Sequence, residues 1–140
     1  MKTIQRSLTG LFAVAALATS LVQAQPLAAD EFRVTLLGTG SPAPIMKRFG
    51  PGVLVQAGGK NLLIDSGRGV TQRLLQSGVP LGKVDALFIT HLHSDHVVGL
   101  PDLWLTGWLQ ASYAQRAGPF VVYGPRGTQG LMDGLAQAYD

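Results

Sequence analysis

The chain has 140 residues, 46% apolar content and sparse charge, which suits one globular domain and argues against disorder or a coiled coil. It has no cysteine, so a disulfide framework is excluded, while a periplasm and a cytosol both remain open. The formal charge of +3 includes Lys2 and Arg6; without them nine basic side chains face eight acidic ones, and a balance near +1 gives no case for nucleic acid as a partner.

Met1 to Ser7 carry Lys2 and Arg6 and no acid, Leu8 to Ala18 form an apolar run, and Val22-Gln23-Ala24 offers small residues at a cleavage site. This layout predicts a secretory signal peptide over 1–24, cut after Ala24, and a periplasmic or secreted protein. The apolar run of about 11 residues is short of the roughly 20 needed to span a bilayer, so no stable membrane anchor is expected. Because no Cys follows it, a lipoprotein anchor is excluded. Residues 25–31 read as a short leader and 32–140 as the folded domain.

Phe32 to Leu37 alternates and is rich in β-formers; it stops at Gly38-Thr39-Gly40-Ser41-Pro42-Ala43-Pro44, a loop by its Gly and Pro content. Val53 to Ala57 and Asn61 to Asp65 are two further strands joined across Gly58-Gly59-Lys60, the spacing of a hairpin, which makes the first half a β-meander. A short helix is predicted over Val70 to Ser77 with Gly78 as its C-terminal cap. Ala86 to Ile89 is a continuous apolar run of strand length, expected to be buried on both faces, and it leads straight to His91. Beyond, Pro101 opens a helix from about Asp102 to Gln115, Phe120 to Tyr123 forms a strand, and Thr128 to Tyr139 a helix.

All three histidines fall in one hexapeptide, His91-Leu92-His93-Ser94-Asp95-His96. Neutral imidazole suits zinc, and a carboxylate adds charge neutralisation, so four of these six side chains are good metal ligands. In an extended loop His91 and His93 project to the same side and can share one cation. Asp95 and His96 follow a change of direction and can face a second. Paired cations of this kind activate water and clamp attacking and leaving oxygens, so the chemistry implied is hydrolysis.

Thr90-His91-Leu92-His93-Ser94-Asp95-His96 resembles the HxHxDH signature of the metallo-β-lactamase superfamily. Leu37-Gly38-Thr39-Gly40-Ser41-Pro42, Leu63-Ile64-Asp65-Ser66-Gly67 and Leu87-Phe88-Ile89-Thr90 resemble the branch that holds ribonuclease Z, arylsulfatase-like enzymes and cyclic-nucleotide phosphodiesterases. The resemblance implies an α+β fold, an αβ/βα sandwich of which this chain supplies the N-terminal half as a mixed β-sheet with flanking helices. It implies a binuclear zinc hydrolase with two Zn2+ per complete domain. His91 and His93 would hold one zinc, and Asp95 and His96 the other, with Asp95 also handling a proton. Asp65 would support the metal loop from behind by hydrogen bonds. The family needs a further His, a bridging Asp and a final His; no histidine follows His96, so a chain truncated at its C-terminus and inactive by itself is expected.

Gly38 to Ala43 fits G-x-G-x-x-A, but Pro42 and Pro44 oppose a helix there and a hairpin stands where the dinucleotide fold needs a crossover helix. Ser66 lacks the preceding glycine of a nucleophile elbow. Trp104 and Trp108 share a helix face and read as packing. Ser41 and Arg48, beside Lys47, are candidates to bind substrate, since Arg pairs with phosphate or sulfate. The expectation is therefore an exported zinc hydrolase of a small anionic sulfate or phosphodiester, with no nucleic acid and with a homodimer allowed. The alternatives are a ribonuclease Z-type 3′-tRNA endonuclease and a non-catalytic binding protein of the same fold.

Overall fold

The computed structural model describes residues 27, 28 and 30–139; the export signal expected over 1–24 lies outside them. Five strands form one mixed sheet in the order β1 (Phe32–Gly38), β2 (Gly52–Ala57), β3 (Lys60–Ile64), β4 (Ala86–Phe88), β5 (Val122–Tyr123). The first three are the expected antiparallel meander, with β2 and β3 joined by a tight turn in which Gly58 and Gly59 both take positive φ. From β3 to β4 and from β4 to β5 the pairing is parallel, and each step needs a crossover. The first crossover carries α1 (Val70–Gln76) and a 3-10 turn (Leu81–Lys83); the second carries α2 (Ser94–Val97) and α3 (Leu100–Gly107); α4 (Thr128–Ala138) follows β5. This is the α+β arrangement of mixed sheet and flanking helices.

Strand alternation places Leu54, Leu63 and Leu87 on one face of the sheet, where they pack with Leu74 of α1, Leu81 and Leu100 and Leu103 of α3. These side chains are fully buried and form the core. On the opposite face Phe32, Val34, Leu36, Phe88 and Tyr123 are exposed. The expectation that β4 is buried on both faces is thereby corrected: Leu87 is enclosed, but Phe88 is 37% exposed and stacks on Tyr123 with ring centroids 5.1 Å apart. Helices cover only the Leu87 side among the described residues. None of the described helices is long and apolar enough to cross a membrane.

α3 stops at Gly107, eight residues short of the Gln115 expected from its apolar spacing. Tertiary contacts end it. The Arg116 amide donates to the Gly107 carbonyl at 2.9 Å, and the Arg116 guanidinium donates to the carbonyls of Leu81 (2.9 Å) and Val84 (3.3 Å) while lying over the Phe120 ring. A Cβ on residue 107 would stand 2.8 Å from that guanidinium, so any side chain here would have to displace it. Burial pushes Arg116 below its usual pKa. Trp108 falls just past the helix end and is exposed rather than packed; Trp104 is half-buried.

At the β2–β3 turn end of the sheet, Asp85 accepts from the Asn61 amide at 2.8 Å and from Lys60 Nζ at 2.9 Å. Burial raises its pKa, but these hydrogen bonds and the charges of Lys60 and Lys83 outweigh it, and the carboxyl sits below its ordinary value. A folded pKa lowered in this way contributes stability above the unfolded value, and that stability is lost as pH falls through the folded one. Thermal melts taken from neutrality to below about pH 4 are expected to show a smaller acid-side loss for Asp85→Asn than for the parent; equal losses would show that Asp85 contributes nothing to acid sensitivity.

Candidate functional site

The site is built at the C-terminal end of β4. Ile89 and Thr90 carry the chain out of the sheet, His91 to His93 stay outside helix and strand, and α2 begins at Ser94, so Asp95 and His96 turn away on its first residues. The expected extended loop is thus half extended and half helical, and the helical half supplies the change of direction.

Two pairs of donor atoms result. His91 Nε2 and His93 Nδ1 lie 3.1 Å apart, and His96 Nε2 and Asp95 Oδ2 lie 3.7 Å apart. The His91 and His96 rings stand 4.0 Å apart, centroid to centroid, which brings the two pairs side by side. Among the described residues no three His, Asp or Glu side chains close into a single cage; the arrangement is two half-sets. Two nitrogens held by one zinc at 2.0–2.1 Å and tetrahedral angles stand roughly 3.3 Å apart. The His91–His93 separation is close to that, and the four donors fit a metal pair chemically.

Behind them lies Asp65. It follows β3, its amide donates to the Phe88 carbonyl at 2.8 Å, and its φ of 60° turns the carboxylate under the loop. Aspartate is among the few side chains that take this left-handed conformation readily. At 6% exposure its carboxylate accepts from the Thr90 amide (2.8 Å), from the Thr90 hydroxyl (2.9 and 3.0 Å) and from His96 Nδ1 (2.7 Å). With Nδ1–H committed to Asp65, His96 presents the lone pair of Nε2 outward, the arrangement that orients a metal ligand. The backbone adds two ties, Ser66 amide to His96 carbonyl (2.7 Å) and Gly99 amide to Ser66 carbonyl (2.9 Å). A Cβ at 99 would sit 2.3 Å from the Gly67 carbonyl oxygen, so this contact needs glycine. The Ser66 hydroxyl is fully buried without a partner, closed off from any substrate.

Ser41 and Arg48 lie on the exposed loop between β1 and β2, and neither side chain hydrogen-bonds to the donor cluster. The loop is nevertheless folded back by Thr39 amide to Arg48 carbonyl (3.1 Å), Gly40 amide to Phe49 carbonyl (2.8 Å) and Gly50 amide to Arg68 carbonyl (2.9 Å). Met46, Phe49, Arg68, Val98 and Asp102 line a cleft of about 440 Å³ between this loop and α3. Asp102 is engaged by the hydroxyls of Thr71 and Thr106. A larger cleft of about 530 Å³, lined by Asn61, Lys83 and Asp85, opens where the parallel strands begin, at the other end of the sheet from the histidines. Thr90, bonded to Asp65 through both its amide and its hydroxyl, is the member of this cluster that the sequence alone did not single out.

The sequence pattern of the anti-Pycsar protein Apyc1 family matches residues 32–121. A ribonuclease Z of Mycolicibacterium gilvum is 45% identical over 106 residues, covering 76% of this chain and 37% of that protein. Among solved structures, the short form of human tRNase Z is similar with TM-score 0.66 and 35% identity, covering 76% of this chain and 39% of that one. The metallo-β-lactamase fold protein YhfI of Bacillus subtilis is similar with TM-score 0.61 and 26% identity over 74% of this chain and 40% of that one. The chain therefore spans somewhat over a third of the length of the curated relatives it matches.

These relatives correct the expected partner, a small anionic ester taken from the resemblance, with nucleic acid not favoured on the near-neutral charge. Proteins named for ribonuclease and tRNase activity are similar to this chain across its folded part. A near-neutral total is a sum over the whole chain and does not report local charge. Here Lys47, Arg48 and Arg68 are each exposed, on two loops tied to one another by the Gly50 amide donating to the Arg68 carbonyl.

Asp65→Asn isolates the carboxylate, because asparagine also tolerates the left-handed φ. It is expected to weaken metal binding by about 10- to 100-fold, measured by competition against a chromogenic chelator, with the melting curve still cooperative. Unchanged affinity would remove Asp65 from the support of the site.

Proposed function

We propose that this chain, which belongs to the anti-Pycsar protein Apyc1 family and to the ribonuclease Z-like branch of the metallo-β-lactamase superfamily, cleaves phosphodiester bonds in RNA. The observation that carries the reading is the pairing of donors, His91 with His93 and Asp95 with His96, side by side above one buried carboxylate. Two zinc ions, when bound, would supply Lewis acidity and activate water for hydrolysis.

The chain's own residues then have distinct tasks. His91 and His93 would hold one ion, and His96 and Asp95 the other. Asp95, 8% exposed and beside His96 Nε2, is placed to accept a proton from the attacking water. Asp65 keeps His96 in the ligating tautomer. Arg48 and Lys47, on the flanking loop, meet the phosphate backbone of the substrate, to which a guanidinium can donate two parallel hydrogen bonds. The similarity to ribonuclease Z supports RNA over sulfate esters and points to the reaction type of a 3′-tRNA endonuclease.

The test uses the full-length protein loaded with zinc. A transfer-RNA precursor bearing a 3′ trailer is expected to be cut, and aryl sulfate and β-lactam left intact. His93→Ala should bring cleavage to background. Binding of RNA without cleavage would replace the enzyme by a binding protein; turnover of aryl sulfate alone would overturn the RNA assignment. Export is a separate part of the proposal, supported by the charge and apolar layout of residues 1–24. A reporter fused after these residues is expected in the periplasm with cleavage after Ala24, and cytoplasmic retention would overturn export while leaving the hydrolase reading in place.

A further inference from the structure

We infer that the Thr90 hydroxyl is a relay by which Asp65 sets the tautomer of His91, making Thr90 a positioning residue for the first ligand pair. Thr90 Oγ1 is 2.9 and 3.0 Å from the two Asp65 carboxylate oxygens and 3.0 Å from His91 Nδ1. A hydroxyl has one proton to give, and a carboxylate can only accept. If Thr90 gave its proton to His91, its lone pairs would face two carboxylate oxygens with nothing between them. The proton therefore goes to Asp65, and Oγ1 is left as an acceptor facing His91 Nδ1. That nitrogen must carry the N–H.

The consequence falls on the other side of the ring. With Nδ1 protonated, neutral His91 keeps its lone pair on Nε2, the atom 3.1 Å from His93 Nδ1 in the first donor pair. Asp65 thus governs two ligands, His96 by a direct hydrogen bond and His91 through one intervening hydroxyl. The Thr90 amide, donating to the same carboxylate at 2.8 Å, fixes the backbone from which this hydroxyl projects. Thr90 is itself exposed, so the relay is held by its bonds to the buried Asp65 rather than by burial. Neighbouring groups supply no competing partner for His91 Nδ1 among the described residues.

The inference rests on reading the hexapeptide as a metal site, but its deciding measurement, the His91 tautomer of the metal-free protein, needs neither metal nor substrate, so the two can fail separately. Protein labelled with 15N-histidine is stripped with a chelator and studied by long-range imidazole correlation spectra, well above the ordinary imidazole pKa of about 6.5. His91 is expected as the Nδ1–H tautomer. Thr90→Val keeps the branched shape and removes the hydroxyl, and should move His91 to the Nε2–H form; Thr90→Ser should restore Nδ1–H. Zinc affinity should fall about tenfold in Thr90→Val and return to near the parent value in Thr90→Ser. A parent His91 protonated at Nε2, or a tautomer unchanged in Thr90→Val, would overturn the relay. Should Thr90→Val fail to fold, Thr90→Ala takes its place: the Nε2–H form is expected for its His91, and an unchanged tautomer would overturn the relay.

Discussion

The Asp65 carboxylate is the point on which the site depends. It is buried, it ends β3 in a left-handed turn, and it accepts from Thr90 twice over and from His96. A buried carboxylate left without donors costs several kcal/mol, so these donors are held as firmly as the carboxylate holds them. The orientation of the histidines is in this way linked to the integrity of the sheet edge: disturbing β3 or β4 would move the carboxylate and release the ligands with it.

The parallel pairing of β3 with β4 brings this about. Leu62↔Ala86, Leu63↔Leu87 and Ile64↔Phe88 run in register, so the two strands end at the same level, with Asp65 at one end and Thr90 just past the other. Twenty-five residues of sequence separate the two partners, and the α1 crossover closes that distance. The core beneath, with Leu63, Leu87, Leu74, Leu100 and Leu103 fully buried, holds both strand ends rigid. Packing of this kind is dense enough that small displacements are resisted, which is what a ligand set needs if it is to be preorganised.

Charge was misleading in the sequence because it was summed. The total near +1 includes Lys60 and Asp85, which neutralise each other at the hairpin end of the sheet, and Arg33 with Glu31, paired at the edge of β1. These pairs are silent for any ligand near the histidines. Lys47, Arg48 and Arg68 remain exposed on the loops on either side of Gly50, whose amide ties the β1–β2 loop to the Arg68 backbone. A polyanion responds to that local arrangement and not to the chain total.

Much of the molecule was legible in the residue order. The period-two strands, the Gly58-Gly59 turn and the ligand density of His91 to His96 are local properties, governed by steric preference and side-chain chemistry within a few residues. The meander, the strand before the hexapeptide and the identity of the four candidate ligands could be read from them. What the chain order alone left open depends on distant partners. The end of α3 at Gly107 is determined by Arg116 folding back onto Leu81 and Val84, and the exposure of Phe88 by which sheet face the helices cover. The role of Thr90 appears only when β3 and β4 end side by side, because a hydroxyl becomes a relay through the two groups it stands between, and tertiary structure alone brings Asp65 to His91.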